Sequence, residues 1–450
     1  MRTWLLAFLA VGLTAGGASG APPQDHPPLR LRDAVSAAVE RNPAMAGTRA
    51  RRDLAEAQLR ESRSRWLPRV DATETFIRSD NPVFVFGSLL EQGRFGAENF
   101  DPAFLNDPDP LSNFRIALNV RYTVFDQFRR MNHVRESRNA VEQAEFGSGE
   151  ARQRIRVETV ARFYGLVLAI EKQAVASDAV ASAEANEASM RARFEEGLLV
   201  EADLLSAEVQ LASFRQQLIE AEGEVEIARA ALATMIQRPL SEPLVVEGTI
   251  PDGEFPAISV DAAIERALSD RGEVKTAQRA ANSSALRLKT ARSSFLPRID
   301  TFANWGQSGT SITGGESDST IGVVLGIDLF DGGRPARISM SRAELEMARS
   351  AETSTRDRVT MEVVTAWHRA NSARERIAVA VRSVESATVA ARIVSDRYDN
   401  GLTTITEQLR AQTALVSARL ALLGARYDYV VGYAELMRST GGLNDVEVFD

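Results

Sequence analysis

Arg63-Ser-Arg-Trp-Leu-Pro-Arg-Val-Asp71 and Arg292-Ser-Ser-Phe-Leu-Pro-Arg-Ile-Asp300 align without a gap, 229 residues apart. Two such nonapeptides in one chain mark an internal duplication, and a long-period repeat sets the architecture before local propensity does. Upstream at the same spacing, Leu31, Ala34, Val35, Ala38 and Val39 face Val260, Ala263, Ile264, Ala267 and Leu268. Downstream, Phe125-Asp126 answers Phe330-Asp331 at a spacing of 205. Phe194-Glu-Glu-Gly197-Leu198 answers Tyr398-Asp-Asn-Gly401-Leu402 at a spacing of 204. The order is kept while the offset shrinks, so the first copy holds the longer loop. This divides the chain into a leader (1–20), a first repeat (21–238), a proline-rich linker (239–257), a second repeat (258–438) and a tail (439–450). The linker and tail are expected to wrap the equator of the molecule.

Each copy reads helix, two strands, very long helix, helix. Heptad spacing carries the helical part: Leu204, Leu211, Leu218, Val225 and Leu232 form one seam, and Leu409, Val416, Leu423, Val430 and Met437 form its counterpart. An unbroken pattern over 129–196 spans on the order of 100 Å at about 1.5 Å per residue. The shorter pieces, 33–65 and 200–237, come to roughly 50 and 57 Å by the same rule. Laid end to end, the two short helices match the long one. The second copy repeats this with 335–400 against 261–294 and 403–438. A tube wall of one continuous and one broken helix per copy fits these lengths; a compact globule does not.

The strands alternate. Over 114–125, Ile116, Leu118, Val120, Tyr122 and Val124 share one face, and Arg115, Ala117, Asn119, Arg121 and Thr123 share the other. Over 319–330, Ile321, Val323, Leu325, Ile327 and Leu329 oppose Thr320, Gly322, Val324, Gly326 and Asp328. Partner strands are expected near 70–78 and 299–308, with Phe76 and Trp305 placed for an aromatic girdle. Segments of about ten residues with one apolar face suit a tilted membrane strand; a soluble sandwich would bury that face inward. Residues 81–113 read as a long extracellular loop, and 309–318 as a short polar one. Four strands are too few to close a barrel, for which about eight is the minimum. Open edges in lipid leave backbone groups unpaired at prohibitive cost, so a membrane role requires oligomerisation.

Composition removes other classes. The 450 residues carry 53 Lys and Arg against 61 Asp and Glu, a net charge of −8. That balance lacks the basic footprint of a nucleic-acid binder. With no cysteine in the sequence, disulfides, thiolate metal sites, a catalytic Cys and a lipid-modified N-terminal Cys are excluded. Three histidines, His26, His133 and His368, lie far apart. A secreted hydrolase would need a nucleophile–base constellation that this chain does not offer, so no enzyme activity, cofactor or metal is expected. Arg2, the apolar run 4–13 and the small residues Ala18-Ser19-Gly20 read as an export signal cleaved between Gly20 and Ala21. The run is shorter than the roughly 20 residues of a membrane anchor.

The export signal, the duplication, Leu-Pro-Arg-[Val/Ile]-Asp entering a strand, Leu329-Phe-Asp-Gly-Gly-Arg334 leaving one, and [Phe/Tyr]-x-x-Gly-Leu between helices together resemble the TolC-like family of outer-membrane efflux proteins. The resemblance covers essentially the whole mature chain. It implies a mainly α fold with a β-hairpin pair, assembled as a homotrimer. That trimer would be a twelve-stranded barrel in outer-membrane lipid, continued by a long coiled-coil helical tube in the periplasm of a Gram-negative bacterium. It further implies a passive exit duct of a tripartite efflux or type I secretion system, fed by an inner-membrane transporter through a periplasmic adaptor. The rival expectation, a periplasmic coiled-coil adaptor or structural protein, would show one helical hairpin without inserted strands. In the first copy, Phe125-Asp-Gln-Phe-Arg129 departs from the Gly-Gly exit turn.

Two sets of site residues follow. Gly197 and Gly401 end the long helices, where a left-handed cap is expected. Leu198, Leu199, Leu402, Thr403 and Thr404 would form the exposed tips that the family uses to meet an adaptor. Asp203 and Glu407 each stand six residues after their glycine. Acids at this offset line the narrow end of the duct in the family, and Tyr398 matches a family tyrosine of that network. Thr403 replaces an expected basic residue, and Arg410, at a place often acidic, could pair with Asp203 or Glu407. The competing reading is helix capping: Thr404-Ile-Thr-Glu407 spells a capping box, and Asp203 suits a helix N-terminus.

Overall fold

The computed structural model describes residues 28–253, 255–443 and 449; the expected leader, with Gly20 and Ala21, lies outside them. The two halves run through matching elements. Helices α1 (Leu31–Arg41) and α2 (Pro43–Ser64) precede strand β1 (Arg69–Ser79). After α3 (Pro82–Glu91) and α4 (Pro102–Asn106) come β2 (Leu111–Phe125), the 67-residue α5 (Arg129–Glu195) and α6 (Glu201–Met235). The second half holds α7 (Val260–Asp270), α8 (Gly272–Ser293), β3 (Arg298–Ser311), β4 (Gly314–Gly326), the 66-residue α9 (Arg334–Asp399) and α10 (Ile405–Ser439).

Four expectations are corrected. The single helices foreseen over 33–65 and 261–294 are each broken in two. In the first copy Pro43 forces Asn42 out of the helical region (φ −63°, ψ 129°), and the Asn42 side chain then caps α2 through the Ala44 N–H at 2.9 Å. In the second copy no proline is present. There Arg271 is extended, and a Cβ on Gly272 would sit 2.9 Å from the Phe146 carbonyl oxygen, so close approach to α5 sets the break. The long loop at 81–113 contains α3, α4 and a 3₁₀ turn, each α-helix opening with proline after a capping Asn81 or Asp101. The short loop at 309–318 shrinks to a turn at Ile312 and Thr313, because β3 and β4 run on through a bulge between Ser308 and Ser311. Conversely β4 stops at Gly326, and Ile327, Leu329 and Phe330 leave the sheet.

Helix α5 is the spine. It packs on α2 and α8 along one half of its length and on α6 and α10 along the other, while α9 packs on α7, α8 and α10. Small residues permit this: Ala34, Ala38, Ala233, Ala263, Ala267 and Ala370 are buried, and a Cβ on Gly432 would lie 3.3 Å from the Ala370 Cα. The main core lies at mid-length, where Leu31, Phe163, Leu166, Leu232 and Val430 meet Leu244 and Ile250 of the inter-repeat segment and Leu443 and Phe449 of the tail. Phe255 stacks on Tyr433 with centroids 4.4 Å apart.

The four strands form one antiparallel sheet in sequence order, with β1 and β4 paired on one side only. The register puts Val70, Phe76, Ile116, Leu118, Val120, Trp305, Ile321 and Val323 on one face. Asp71, Arg115, Asn119, Arg121, Asp300, Asn304 and Asp318 occupy the other. Among the described residues nothing covers the apolar face: Ile321 is 85 % exposed, Val323 68 % and Trp305 48 %. Uncovered apolar surface of this extent suits lipid, although Glu74 and Gln307 share the face by register. Among the described residues no helix is long and apolar enough to cross a membrane.

Candidate functional site

At the far end of the long helices, α5 and α9 stop in the same way. The Gly197 N–H donates to the Phe194 carbonyl (2.8 Å) and the Leu198 N–H to Arg193 (2.9 Å). In α9, Gly401 donates to Tyr398 (2.9 Å) and Leu402 to Arg397 (2.8 Å). These are paired Schellman caps. Both glycines have positive φ, +77° and +68°, and nothing lies within 4 Å of either Cβ position, so backbone angle alone requires glycine. Leu198 and Leu402 project 72 % and 66 % exposed, and Thr404 is exposed. Thr403 is half-buried, and Leu199 packs on a tip cluster of Met190, Leu204, Ala207 and Ile405 that also holds Tyr398 and Leu409.

The sequence-predicted gate residues divide. Tyr398 sits in the tip cluster, its hydroxyl buried with no hydrogen-bond partner among the described residues. Burial pushes its phenol above the ordinary range; the Arg193 charge opposes this, while Asp203 and Asp399 add to it. Asp203, half-buried in the first turn of α6, thus acts on Tyr398. Glu407 and Arg410 form an exposed pair within α10 at 3.0 Å instead of reaching Asp203. Thr404 is the N-cap of α10 but makes no capping side-chain bond, so the expected capping box is not realised. The sequence reading missed Arg193, which pairs with Asp399 at 3.0 Å, joining α5 to α9. Its guanidinium also lies 5.7 Å from the Tyr398 ring centroid. The partners are 206 residues apart, and only the duplication's alignment of the two tips could have suggested them.

At the opposite end, strands hand over to helices through buried arginines. Arg130 stacks over Trp66 and Arg334 over Phe295, each 4.6 Å from the ring centroid, with side chains 8 % and 7 % exposed. Arg130 donates through Nε to Asp126 at 3.2 Å, and Arg334 donates to the Asp328 carbonyl at 3.1 Å. The entry-motif aromatic and the exit-motif arginine are therefore one device, used twice. In the first copy Gln127 and Phe128 stand where the second has Gly332 and Gly333, and both take left-handed backbone (φ 63° and 64°).

The polar sheet face is a continuous hydrogen-bonded ladder. Asn304 donates to Asn119 (2.5 Å), Asn119 to Asp71 (3.0 Å) and Thr123 to Asp300 (2.6 Å). Arg115 donates to Asp318 at 3.0 Å. A concavity of about 760 Å³ at its base is lined by Arg65, Arg69, Arg121, Arg298 and Asp300. Such a surface can line water. Among the described residues no three His, Asp or Glu side chains gather to hold a metal.

Comparison with known proteins fits this arrangement. The chain is 24 % identical over 348 residues to the outer membrane efflux protein BepC of Brucella suis, covering 74 % of each chain. It is 25 % identical over 269 residues to the outer membrane protein TolC of Vibrio cholerae, covering 57 % of this chain and 61 % of that one. Its fold superposes on the CmeC outer membrane channel of Campylobacter jejuni with a TM-score of 0.79 at 20 % identity, covering 92 % of this chain and 85 % of that one. Residues 34–237 and 263–442 match the family described as Outer membrane efflux protein. The match spans both halves, helices and strands alike, and the chain belongs to the outer membrane efflux protein family.

Proposed function

We propose that three copies of this chain assemble into a passive outer-membrane exit duct for cargo delivered by an inner-membrane pump through a periplasmic adaptor. The observation that carries this reading is the four-stranded sheet with a bare apolar face and two unpaired edges, set on helices of about 100 Å. Joining β4 of one chain to β1 of the next removes every edge, and three chains give twelve strands, above the roughly eight needed for closure. At any level each chain supplies four helical segments, so the same symmetry makes a tube of twelve helices. The polar ladder then faces the lumen and the apolar face meets lipid. A duct of this kind carries no catalytic group and no cofactor.

The helix tips are the proposed adaptor-docking surface, with Gly197, Leu198, Leu199, Gly401, Leu402, Thr403 and Thr404 as its turns. Exposed Leu198 and Leu402 offer apolar contacts on rigid caps. Tyr398 and Asp203 are the proposed gate, supported by the pairing of Arg193 with Asp399 beside them. Glu407 and Arg410 form its outer, solvent-exposed part.

The test is the purified protein in detergent and in planar bilayers. A heat-modifiable trimer that fractionates with outer membranes and conducts ions supports the duct. Recovery as a soluble periplasmic monomer sinks it.

A further inference from the structure

The segment between β1 and β2 is a folded unit. The Asn81 side chain accepts from the Val83 and Phe84 N–H groups at 3.0 and 3.2 Å. Phe86, Phe95 and Phe100 pack edge to face with centroids 4.8 and 5.0 Å apart, and Val85 and Leu89 are buried. Its attachment to the sheet is one-sided. Gln92 donates to the Ser112 carbonyl and to Asn113 Oδ1, both at 3.0 Å. Glu91 accepts from Ser308 at 3.3 Å and from Asn113 at 3.4 Å, and lies 3.6 Å from Arg115, which also holds Asp318. A Cβ on Gly93 would fall 2.7 Å from the Glu316 side chain. Asn113, Arg115, Ser308, Glu316 and Asp318 all belong to the polar face by register.

We infer that residues 82–106 form an inward-folded lid over the extracellular mouth of the duct, latched to the barrel wall by Glu91 and Gln92. This rests on the duct reading, which makes the polar face the lumen wall. A unit docked only on that face lies inside the barrel. Each contact of the latch is polar, and the Glu91 and Asp318 side chains stay about half exposed (48 % and 47 %). Glu91 touches solvent while Gln92, Asn113 and Ser308 are buried, so a handful of polar bonds holds the lid closed, and breaking them leaves its own aromatic cluster intact. The barrel rim, and not only the periplasmic tip, thereby limits access to the lumen.

The absence of cysteine makes the test direct. A reporter, Thr320→Cys on the lumen face, is labelled on intact cells with an impermeant maleimide–polyethylene glycol. Ile321→Cys, on the lipid face, is labelled in parallel. Adding Glu91→Ala with Gln92→Ala, or replacing 82–106 by a Gly-Ser linker, should speed Thr320→Cys labelling at least about tenfold, the factor that one lost charge-assisted hydrogen bond supplies. Variants are compared at equal trimer content, and the point variants decide if the replacement does not assemble. Equal labelling rates with and without the latch overturn the lid while leaving the duct intact. Ready labelling of Ile321→Cys overturns the duct itself, because that residue would then face water.

Discussion

At the level of single residues, buried charge is placed where helices break or end. Arg271, fully buried at the break between α7 and α8, donates to Glu362 at 2.6 Å and Glu273 at 2.9 Å. Arg358 donates to the same two acids at 2.9 and 3.1 Å. Burial works against ionisation of Glu362, but the hydrogen bonds and charges of Arg271 and Arg358 outweigh it and hold its carboxyl below the ordinary range. A depressed carboxyl contributes stability above its unfolded value, about 4.3, and loses it as pH falls through the folded value. Melting of the trimer should therefore show Glu362→Gln weaker than wild type near neutral pH, with the gap closing in acid. A gap independent of pH would exclude this role. At the tip, Asp203→Ala should raise single-channel conductance with trimer stability unchanged; Tyr398→Phe should do less, because the hydroxyl it removes has no partner among the described residues, and Glu407→Ala should do little, because its pair is exposed. Wild-type conductance and cation preference in all three would leave no gate at these positions. In the sequence Asp203 is singled out by its offset to the tip glycine and Tyr398 by the family resemblance, as proposed gate residues. Arg193 and Asp399 are not, since their pairing exists only once two tips, 206 residues apart, lie side by side.

At the level of elements, heptad spacing predicts the long helices closely, and the structure breaks the short ones for two different reasons. The first break was readable from Pro43, which disfavours a helical Asn42. The second was not: Gly272 is tolerated in many helices, and its role appears only against the α5 backbone at Phe146. The caps carry a prediction of their own. Gly197→Ala or Gly401→Ala forces a side chain into left-handed backbone at a cost of about 1 kcal/mol, without any clash. Trimers should persist while export falls, because the turn that presents Leu198 or Leu402 is redirected. Leu199→Glu or Thr403→Arg should abolish export in the same assay, with adaptor cross-linking lost in parallel. Full export in these variants would place docking elsewhere.

For the whole molecule, the prediction is set by lipid. Val323→Arg puts a charge on the bare face of β4 and should cost roughly 2–4 kcal/mol if that position lies at mid-membrane, reducing heat-resistant trimer in outer membranes. The neighbouring Thr320→Arg, on the polar face, should assemble normally. Equal effects of the two would contradict the assignment of faces. Periodicity by itself determined much of this protein: the duplication, the continuous-plus-broken helix lengths, the strand faces and the tip glycines are all local patterns repeated at fixed spacing. Tertiary structure alone decided the rest. Stacking of Arg130 on Trp66 and Arg334 on Phe295, the clamp around Arg271, and the folding of 82–106 onto the polar face each join segments whose meeting depends on three-dimensional proximity. A one-dimensional period records which face a residue occupies, whereas contacts between distant segments depend on how those faces are brought together.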